Sequence, residues 1–274
     1  TMLVTVFVFL GIEGASVYSR FAKERSDIGF ATVTGFVIVT SLMVLVTLLP
    51  YGVLQRAEIA GQTAPSMAGV LETVVGPWGR TFISAGVIVS VLGAYLAWTL
   101  ICAEVLSAAA RNKDMPSVFA KENKNKVPVA ALWATNIVVQ LIVITTYWSR
   151  DAFNLMLDLT AAVSLIPFVL CAGYGWKLVS RGETYDVRPE ERSKDLWIAI
   201  VATFYTAFLV YAAGLKFVVL SAVLYGPGTM LYFWSRREQG LPVFTKTSDW
   251  VIFVLAMIGA VVGIYWLATG TLEI

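Results

Sequence analysis

Long apolar stretches separated by short polar or charged segments run through the whole chain. Three of them, residues 28–55, 81–103 and 127–149, contain no charged side chain. Each is long enough to cross roughly 30 Å of hydrocarbon as a helix. The stretches are continuously apolar rather than alternating, which argues against a transmembrane barrel of strands. The pattern therefore predicts an all-α integral membrane protein.

We predict about eight transmembrane segments, together with a short amphipathic helix over residues 65–76 that ends at Gly76 and Pro77. Almost nothing joins the fourth segment to the fifth, so these two are predicted to form a tight hairpin. The predicted segments are residues 2–22, 29–50, 82–109, 128–147, 152–176, 196–213, 217–234 and 250–268.

Two glycines and a carboxylate interrupt the first segment, in the order Gly11, Ile12, Glu13 and Gly14. Inside a bilayer the backbone can leave the helix only where protein or a water-filled cavity takes over its hydrogen bonds. A glutamate is also costly if it faces lipid. The interruption therefore indicates a broken helix at a binding cavity. The alternative is a kinked helix whose glycines only allow close packing.

The composition agrees with a membrane protein and excludes several kinds of chemistry. Hydrophobic residues make up 58% of the 274 residues and charged residues only 14%, and the net charge of +2 gives no indication of nucleic acid binding. The two cysteines, Cys102 and Cys171, lie in apolar stretches and resemble small hydrophobic residues. The chain contains no histidine and no motif for a metal or a nucleophile, so we expect neither an enzyme nor a cofactor.

The basic residues predict the orientation of the segments. If the end of the first segment at Arg20 is cytoplasmic, alternate loops hold most of the 20 Lys and Arg residues. The opposite side then receives only Arg56, Arg80, Arg150 and Lys216. This asymmetry is the one that the positive-inside rule requires, and it supports both the orientation and the number of segments.

Few residues within the segments can carry chemistry. Glu13 and Asp158 are the deepest carboxylates, and acidic residues inside a membrane are candidates for function. The alternative for Asp158 is a structural bond to a serine or threonine of a neighbouring helix. Glu104 lies nearer the end of its segment, where we expect it to pair with a loop cation. Pro167 is expected to kink the fifth segment and free a carbonyl group.

Gly86, Ser90, Ala94 and Trp98 recur every four residues along the third segment. Such a stripe of small residues lets another helix or a ligand approach, and the indole at its end offers an aromatic face to a cation. A simple packing surface between two helices would show the same stripe.

Several motifs resemble one family of transporters. Residues 9–16 and the basic loop after them look like the sixth transmembrane helix of the amino acid–polyamine–organocation transporters. Residues 93–100 resemble their eighth helix, and residues 115–120 with 126–130 resemble the loop into their ninth. Three runs, residues 13–20, 65–71 and 76–79, are especially similar to the bacterial arginine/ornithine antiporters of the basic amino acid/polyamine group.

The resemblance implies an inverted-repeat fold of five plus five helices within a single transmembrane domain. Residues 1–176 would be the second repeat, from the broken sixth helix onward, and residues 177–274 would be trailing accessory helices. The chain opens inside an apolar segment, so we expect it to be the C-terminal part of a longer protein. The implied location is the bacterial cytoplasmic (inner) membrane.

The resemblance also assigns a role to seven residues and supports a candidate for an eighth role. Phe9, Leu10, Gly11 and Ile12 supply backbone carbonyls to the α-amino group of the substrate. Trp98 packs beside the side chain of the substrate. Asp158 lies at the position from which the tenth helix of the family faces the substrate, and it is our candidate for the carboxylate near the distal cation. Glu13 and Phe7 are assigned to gating, with Phe7 standing where the family often has tryptophan.

The implied activity is amino acid transport by alternating access, with exchange of arginine for ornithine as the expected reaction. A proton-coupled permease, or an antiporter of lysine, histidine/histamine or a polyamine, is the alternative. The expected partners are basic amino acids and the lipid bilayer, and a homodimer is left open.

Overall fold

The computed structural model describes residues 2–62, 65–145, 152–183, 185 and 189–269. Every regular element in these ranges is helical. Short 3₁₀ turns follow some of the helices, as at Leu49–Gly52 and Ser117–Ala120. In chain order the α-helices are α1 (Met2–Phe9), α2 (Gly14–Val17), α3 (Arg25–Leu48), α4 (Arg56–Ala60), α5 (Ser66–Val75), α6 (Pro77–Arg111), α7 (Val129–Thr145), α8 (Ala152–Arg181), α9 (Arg192–Ala213), α10 (Leu215–Glu238) and α11 (Thr247–Ala268).

Six helical segments among the described residues are long and apolar enough to cross a membrane. They confirm a multi-pass, all-α membrane protein. The predicted first segment is divided between α1 and α2, and α7 is shorter than the six. The hairpin predicted between α7 and α8 lies outside the described residues. The membrane-length segments are Ser26–Gly52, Pro77–Arg111, Leu159–Arg181, Pro189–Ala213, Leu215–Glu238 and Thr247–Trp266.

Several helices extend beyond the apolar stretches that predicted them. Helix α6 begins at Pro77 rather than at residue 82, because proline is well suited to the first turn of a helix, where its missing N–H is not needed. Helix α8 continues to Arg181, and α10 continues to Glu238. Polar residues in a last turn reach the aqueous phase, so hydropathy does not mark the end of the helix.

The chain divides into two compact units. The first contains Thr1–Leu10, Ala109–Val118 and Val139–Ile274, and the second contains Gly11–Ala108 and Phe119–Val138. In the second unit a polar bond joins α6 to α7, because the Tyr95 hydroxyl donates to Oδ1 of Asn136 over 2.8 Å. The amide of Asn136 in turn donates to the Leu132 carbonyl over 2.8 Å. Both polar groups of this asparagine are thus bonded.

In the first unit α8 packs on α9, and α10 packs closely on α11. Glycines of α11 allow α10 and α11 to pack closely. A Cβ added to Gly259 would lie 2.8 Å from Cβ of Ala222, and one added to Gly263 would lie 3.1 Å from the Val219 carbonyl. Without aqueous solvent to drive helices together, small residues that let two backbones approach are the usual source of helix association in a membrane.

Pro167 lies inside α8, and its effect on the hydrogen bonds of that helix is visible. Proline has no N–H, so the carbonyl four residues earlier, that of Val163, loses its helical donor. The Tyr225 hydroxyl of α10 donates to this carbonyl over 3.0 Å. The predicted freed carbonyl is thus confirmed, and it has become a contact between two helices.

Polar bonds also join the segment after α6 to the end of α10. The Lys113 carbonyl accepts from Oγ of Ser235 over 3.1 Å and from Nε2 of Gln239 over 3.0 Å. The Ser117 N–H donates to Oε2 of Glu238 over 3.0 Å, and the Ser117 hydroxyl donates to Oε1 of the same carboxylate. The predicted topology places both segments on the cytoplasmic side, as this contact requires.

Candidate functional site

The first membrane segment leaves helical geometry at the predicted position. Helix α1 ends at Phe9, residues 10–13 form turns, and α2 begins at Gly14. Gly11 has a φ of +106°, a conformation that side-chain-bearing residues rarely adopt. Glycine at this position is therefore what allows the chain to turn between the two short helices.

Glu13 stabilises the break locally. Its Oε2 accepts a hydrogen bond from the Gly11 N–H over 2.8 Å, and the Gly11 carbonyl accepts from the Gly14 N–H over 3.0 Å. The carboxylate thus replaces a backbone partner that the broken helix no longer supplies. The sequence predicts a carboxylate at the break, and Glu13 is half-buried there. The hydrogen bond from the Gly11 N–H to Glu13 is not predicted by the sequence.

Two backbone carbonyls at the break are left without a donor. Within the described part of the chain, the carbonyl groups of Leu10 and Ile12 accept no hydrogen bond. They lie just beyond the C-terminal end of α1, where the partial negative charge of a helix favours a cation. Unsatisfied carbonyls at such a position are suited to bind an ammonium group.

Trp98 of α6 lies beside the break within the second unit. A Cβ added to Gly11 would be 3.5 Å from Cζ2 of Trp98, which is ordinary van der Waals contact. One turn from there, a Cβ on Gly14 would be 3.5 Å from Cδ1 of Ile101. The face of α6 that carries Trp98 therefore runs along the break, and Trp98 remains 40% exposed.

The rest of the small-residue stripe on α6 is open. Gly86, Ser90 and Ala94 are exposed, and no described atom lies within 4 Å of a Cβ added to Gly86. The described residues therefore leave this part of the α6 surface largely uncovered. This surface has room for a helix or for a ligand, the two alternatives that the sequence leaves open.

The remaining predicted residues lie in the first unit. Phe7 and Phe9 belong to α1, Leu10 follows it, and α1 packs on α8. Phe7 is 39% exposed, and Phe9 and Leu10 are half-buried. Asp158 belongs to α8, and its side chain lies outside the described residues. The structure thus brings Gly11, Glu13 and Trp98 together, and the proposed roles of the other residues stay predictions.

Glu104 pairs with a loop cation, as predicted. Its Oε2 lies 2.9 Å from Nη2 of Arg20, and Nη1 of the same arginine lies 3.4 Å from Oε1 of Glu122. Only 6% of Glu104 is exposed, so a partner of opposite charge is needed to offset the desolvation of its carboxylate. Arg20 ties the chain after the break to the end of α6.

Three contributors to the site were missed. Arg20 pairs with Glu104 across 84 residues of sequence, and no local pattern reveals a contact over that separation. Tyr95 and Asn136 join α6 to α7 one turn away from Trp98, across 41 residues. A signal for this bond was present, because an asparagine within an apolar helix needs a polar partner in the membrane.

The architecture and the break define a class of protein. Membrane-length helices combined with a discontinuous helix, a carboxylate at the break and unsatisfied carbonyls are features of secondary transporters. A comparison with protein families agrees, because residues 1–235 match the amino acid permease family. The chain belongs to this family, and its members are transporters, which fits the prediction that the chain is not an enzyme.

Individual relatives cover the whole chain. It is 47% identical over 279 residues to the arginine/ornithine antiporter of Pseudomonas aeruginosa, with 100% of this chain and 58% of that protein aligned. It is 39% identical to the L-lysine transport protein of Corynebacterium glutamicum, over 100% of this chain and 57% of that protein. Identity to the arginine/agmatine antiporter of Chlamydia pneumoniae is 35%, over 100% and 57% respectively. The chain thus spans a little over half the length of the curated relatives it matches.

Proposed function

We propose that the full-length protein exchanges arginine for ornithine across the bacterial inner membrane by alternating access. The observation that carries the proposal is the break at Gly11, where two carbonyls lack donors and an indole lies alongside. The relatives named above transport arginine, ornithine, agmatine or lysine by their names. All four compounds carry a cationic side group on an aliphatic stem, which is the chemistry that this site suits.

In the proposed complex the α-amino group of the substrate binds the carbonyls of the 9–12 segment. Leu10 and Ile12 offer the best acceptors there, because the Gly11 carbonyl already accepts from Gly14. The aliphatic stem lies against Trp98, whose exposed face leaves area for it. The carboxylate of Asp158 pairs with the distal cation.

Glu13 and Phe7 are proposed to act in gating. Glu13 holds the turn closed through the Gly11 N–H, so a change in its charge would alter the stability of the break. Phe7 lies one turn before Gly11, and its exposed ring would cover the substrate from one side. Both residues would then bias the balance between inward-open and outward-open states.

The proposed architecture has eight transmembrane segments. Residues 1–176 form the second of two inverted repeats, and residues 177–274 form the accessory helices, where a homodimer contact would be sought. Substrate sites of inverted-repeat transporters lie near the middle of the membrane between the repeats, where broken helices meet.

Counterflow in liposomes with the full-length protein tests the proposal. Vesicles are loaded with ornithine, lysine, agmatine or citrulline, and the uptake of labelled arginine is measured. We expect uptake to require an internal cationic substrate and to be absent with citrulline, which has the stem but no cation. Uptake into empty vesicles driven by a pH gradient would contradict exchange and favour a proton-coupled permease.

The variant Asp158→Asn tests the part of the proposal that concerns the distal cation. A lost charged hydrogen bond costs about 1.5–3 kcal/mol, so the affinity for arginine and ornithine should fall roughly 10-fold to 100-fold while that for citrulline changes little. Asp114→Asn is the matched control, because Asp114 is an exposed loop carboxylate. Equal losses for all three ligands would make Asp158 a structural residue.

A further inference from the structure

One face of α10 forms a shallow groove near the end of the helix. The groove has a volume of about 410 Å³ and is lined by Met230, Phe233, Trp234 and Arg237. These residues follow the spacing of one helical stripe, with three large apolar side chains leading to one cation. Phe233 is fixed from behind, because its ring makes edge contacts with Phe244 and Phe253 at 5.6 and 5.5 Å. One wall of the groove is therefore a packed aromatic cluster.

Arg237 is the cation of this stripe, and it is available. Among the described residues no carboxylate lies within 4.0 Å of its guanidinium, and no side-chain hydrogen bond engages it. Its two neighbours in the chain are both engaged elsewhere. Nε of Arg236 donates to the Tyr232 hydroxyl over 3.0 Å, and Glu238 accepts from Ser117. The acidic neighbour thus does not neutralise Arg237.

The groove lies at the end of a membrane-length helix, where we expect the membrane to meet water. Helix α10 is a membrane-length segment, and Arg237 belongs to its last turn. Trp234 is 53% exposed and Met230 is 73% exposed, so both present apolar surface to the surroundings. Tryptophan favours the interface at the level of the head groups, and an arginine in the same region favours anionic lipids. The predicted topology places this end in the cytoplasmic leaflet.

We propose that this groove is a binding site for an anionic phospholipid. The guanidinium of Arg237 donates two parallel hydrogen bonds to the phosphate, in the geometry that arginine favours for such groups. The indole of Trp234 lies beside the glycerol region, and one acyl chain packs on Met230 and Phe233. The site is separate from the proposed substrate site, and its occupancy does not depend on which amino acid is transported.

Lipid titration of the purified full-length protein tests this site. Delipidated protein is titrated with phosphatidylglycerol or with phosphatidylethanolamine, and bound lipids are counted by native mass spectrometry. We expect preferential binding of phosphatidylglycerol, and a loss of about fivefold in its affinity for Arg237→Gln, the size of the attraction of one interfacial arginine to an anionic surface. Arg237→Lys should keep part of the affinity, because it retains the charge but not the planar pair of donors.

Two controls separate a built site from general surface charge. Arg181→Gln removes one cation from the last turn of α8, on the same predicted side, where the arginine pairs with Glu183 at 3.5 Å. This variant should bind phosphatidylglycerol like the parent. Met230→Trp keeps the charge but fills the groove, so it should weaken binding of long-chain lipid. Equal losses for Arg237→Gln and Arg181→Gln, or equal binding of the two lipids by the parent, would overturn the proposal.

Discussion

Gly11 is the residue at which the first membrane segment leaves helical geometry. Its φ of +106° is strained for any residue that has a Cβ, although the space beside Trp98 would admit a methyl group. The requirement for glycine at this position is therefore conformational rather than steric. The same backbone turn directs the Gly11 N–H to Glu13 and leaves the adjacent carbonyls open.

Gly11→Ala should destabilise the full-length protein by on the order of 1–3 kcal/mol, the cost of holding a side-chain-bearing residue in a disfavoured backbone region. Thermal unfolding in detergent, followed by tryptophan fluorescence, measures the effect. Gly35→Ala in α3 is the matched control, because its Cβ would meet nothing within 4 Å and the site is helical. A similar unfolding temperature for the two variants would show that the turn is not held in the conformation described.

At the scale of the elements, the bond from Tyr225 to Val163 joins α8 to α10 at a point set by Pro167. The proline creates an unpaired carbonyl, and the neighbouring helix supplies the donor. In an apolar environment no water competes for that carbonyl, so losing the donor leaves a polar group unsatisfied.

Tyr225→Phe should therefore lower the free energy of unfolding by about 0.6–2 kcal/mol, the range for a lost bond between membrane helices and for an unsatisfied buried group. Unfolding in a denaturing detergent, measured by circular dichroism, gives this value. Tyr211→Phe serves for comparison, because Tyr211 of α9 is 83% exposed. If the two substitutions have the same effect, the Tyr225 bond does not contribute to stability.

The elements themselves follow from the sequence because bilayer-length apolar stretches can hardly be anything but helices. The partners of their polar groups do not. Pro167 predicts a freed carbonyl, but its donor, Tyr225, lies 62 residues beyond Val163 and is identified only from the fold. Glu104 likewise predicts a loop cation, but Arg20 lies 84 residues before it. The break was predicted from its glycines, but the bond between Gly11 and Glu13 depends on dihedral angles that no pattern specifies.

At the scale of the whole molecule, the described residues join distant parts of the chain through polar bonds on one predicted side of the membrane. In the first unit, Ser117 bonds to Glu238, and Ser235 and Gln239 bond to the Lys113 carbonyl. Ser235 is fully buried, which protects its bond to the Lys113 carbonyl, whereas the bonds of Ser117 and Gln239 lie at the surface. The segment that follows α6 is thereby fixed to the last turn of α10.

Glu238→Ala should release this segment. The bonds from Ser117 to Glu238 are exposed to water and contribute about 0.5–1.5 kcal/mol, so amide exchange of residues 112–118 should become roughly 2-fold to 10-fold faster. Hydrogen–deuterium exchange of the full-length protein with mass spectrometry detects this change. Glu183→Ala, which removes an exposed carboxylate paired with Arg181, should leave the segment unchanged. Unaltered exchange in Glu238→Ala would show that the other bonds suffice.

The glycine-mediated contact of α10 with α11 bears on how the chain enters the bilayer during synthesis. Helix α10 is the least apolar of the six membrane-length segments and contains Pro227 between two glycines. Alone it would present poorly covered backbone to lipid. A Cβ on Gly226 would lie 3.0 Å from Cβ of Ala260, so α11 covers that backbone directly. Helix α10 is thus a marginal segment until α11 has been translated, and the two are expected to leave the insertion machinery as a pair.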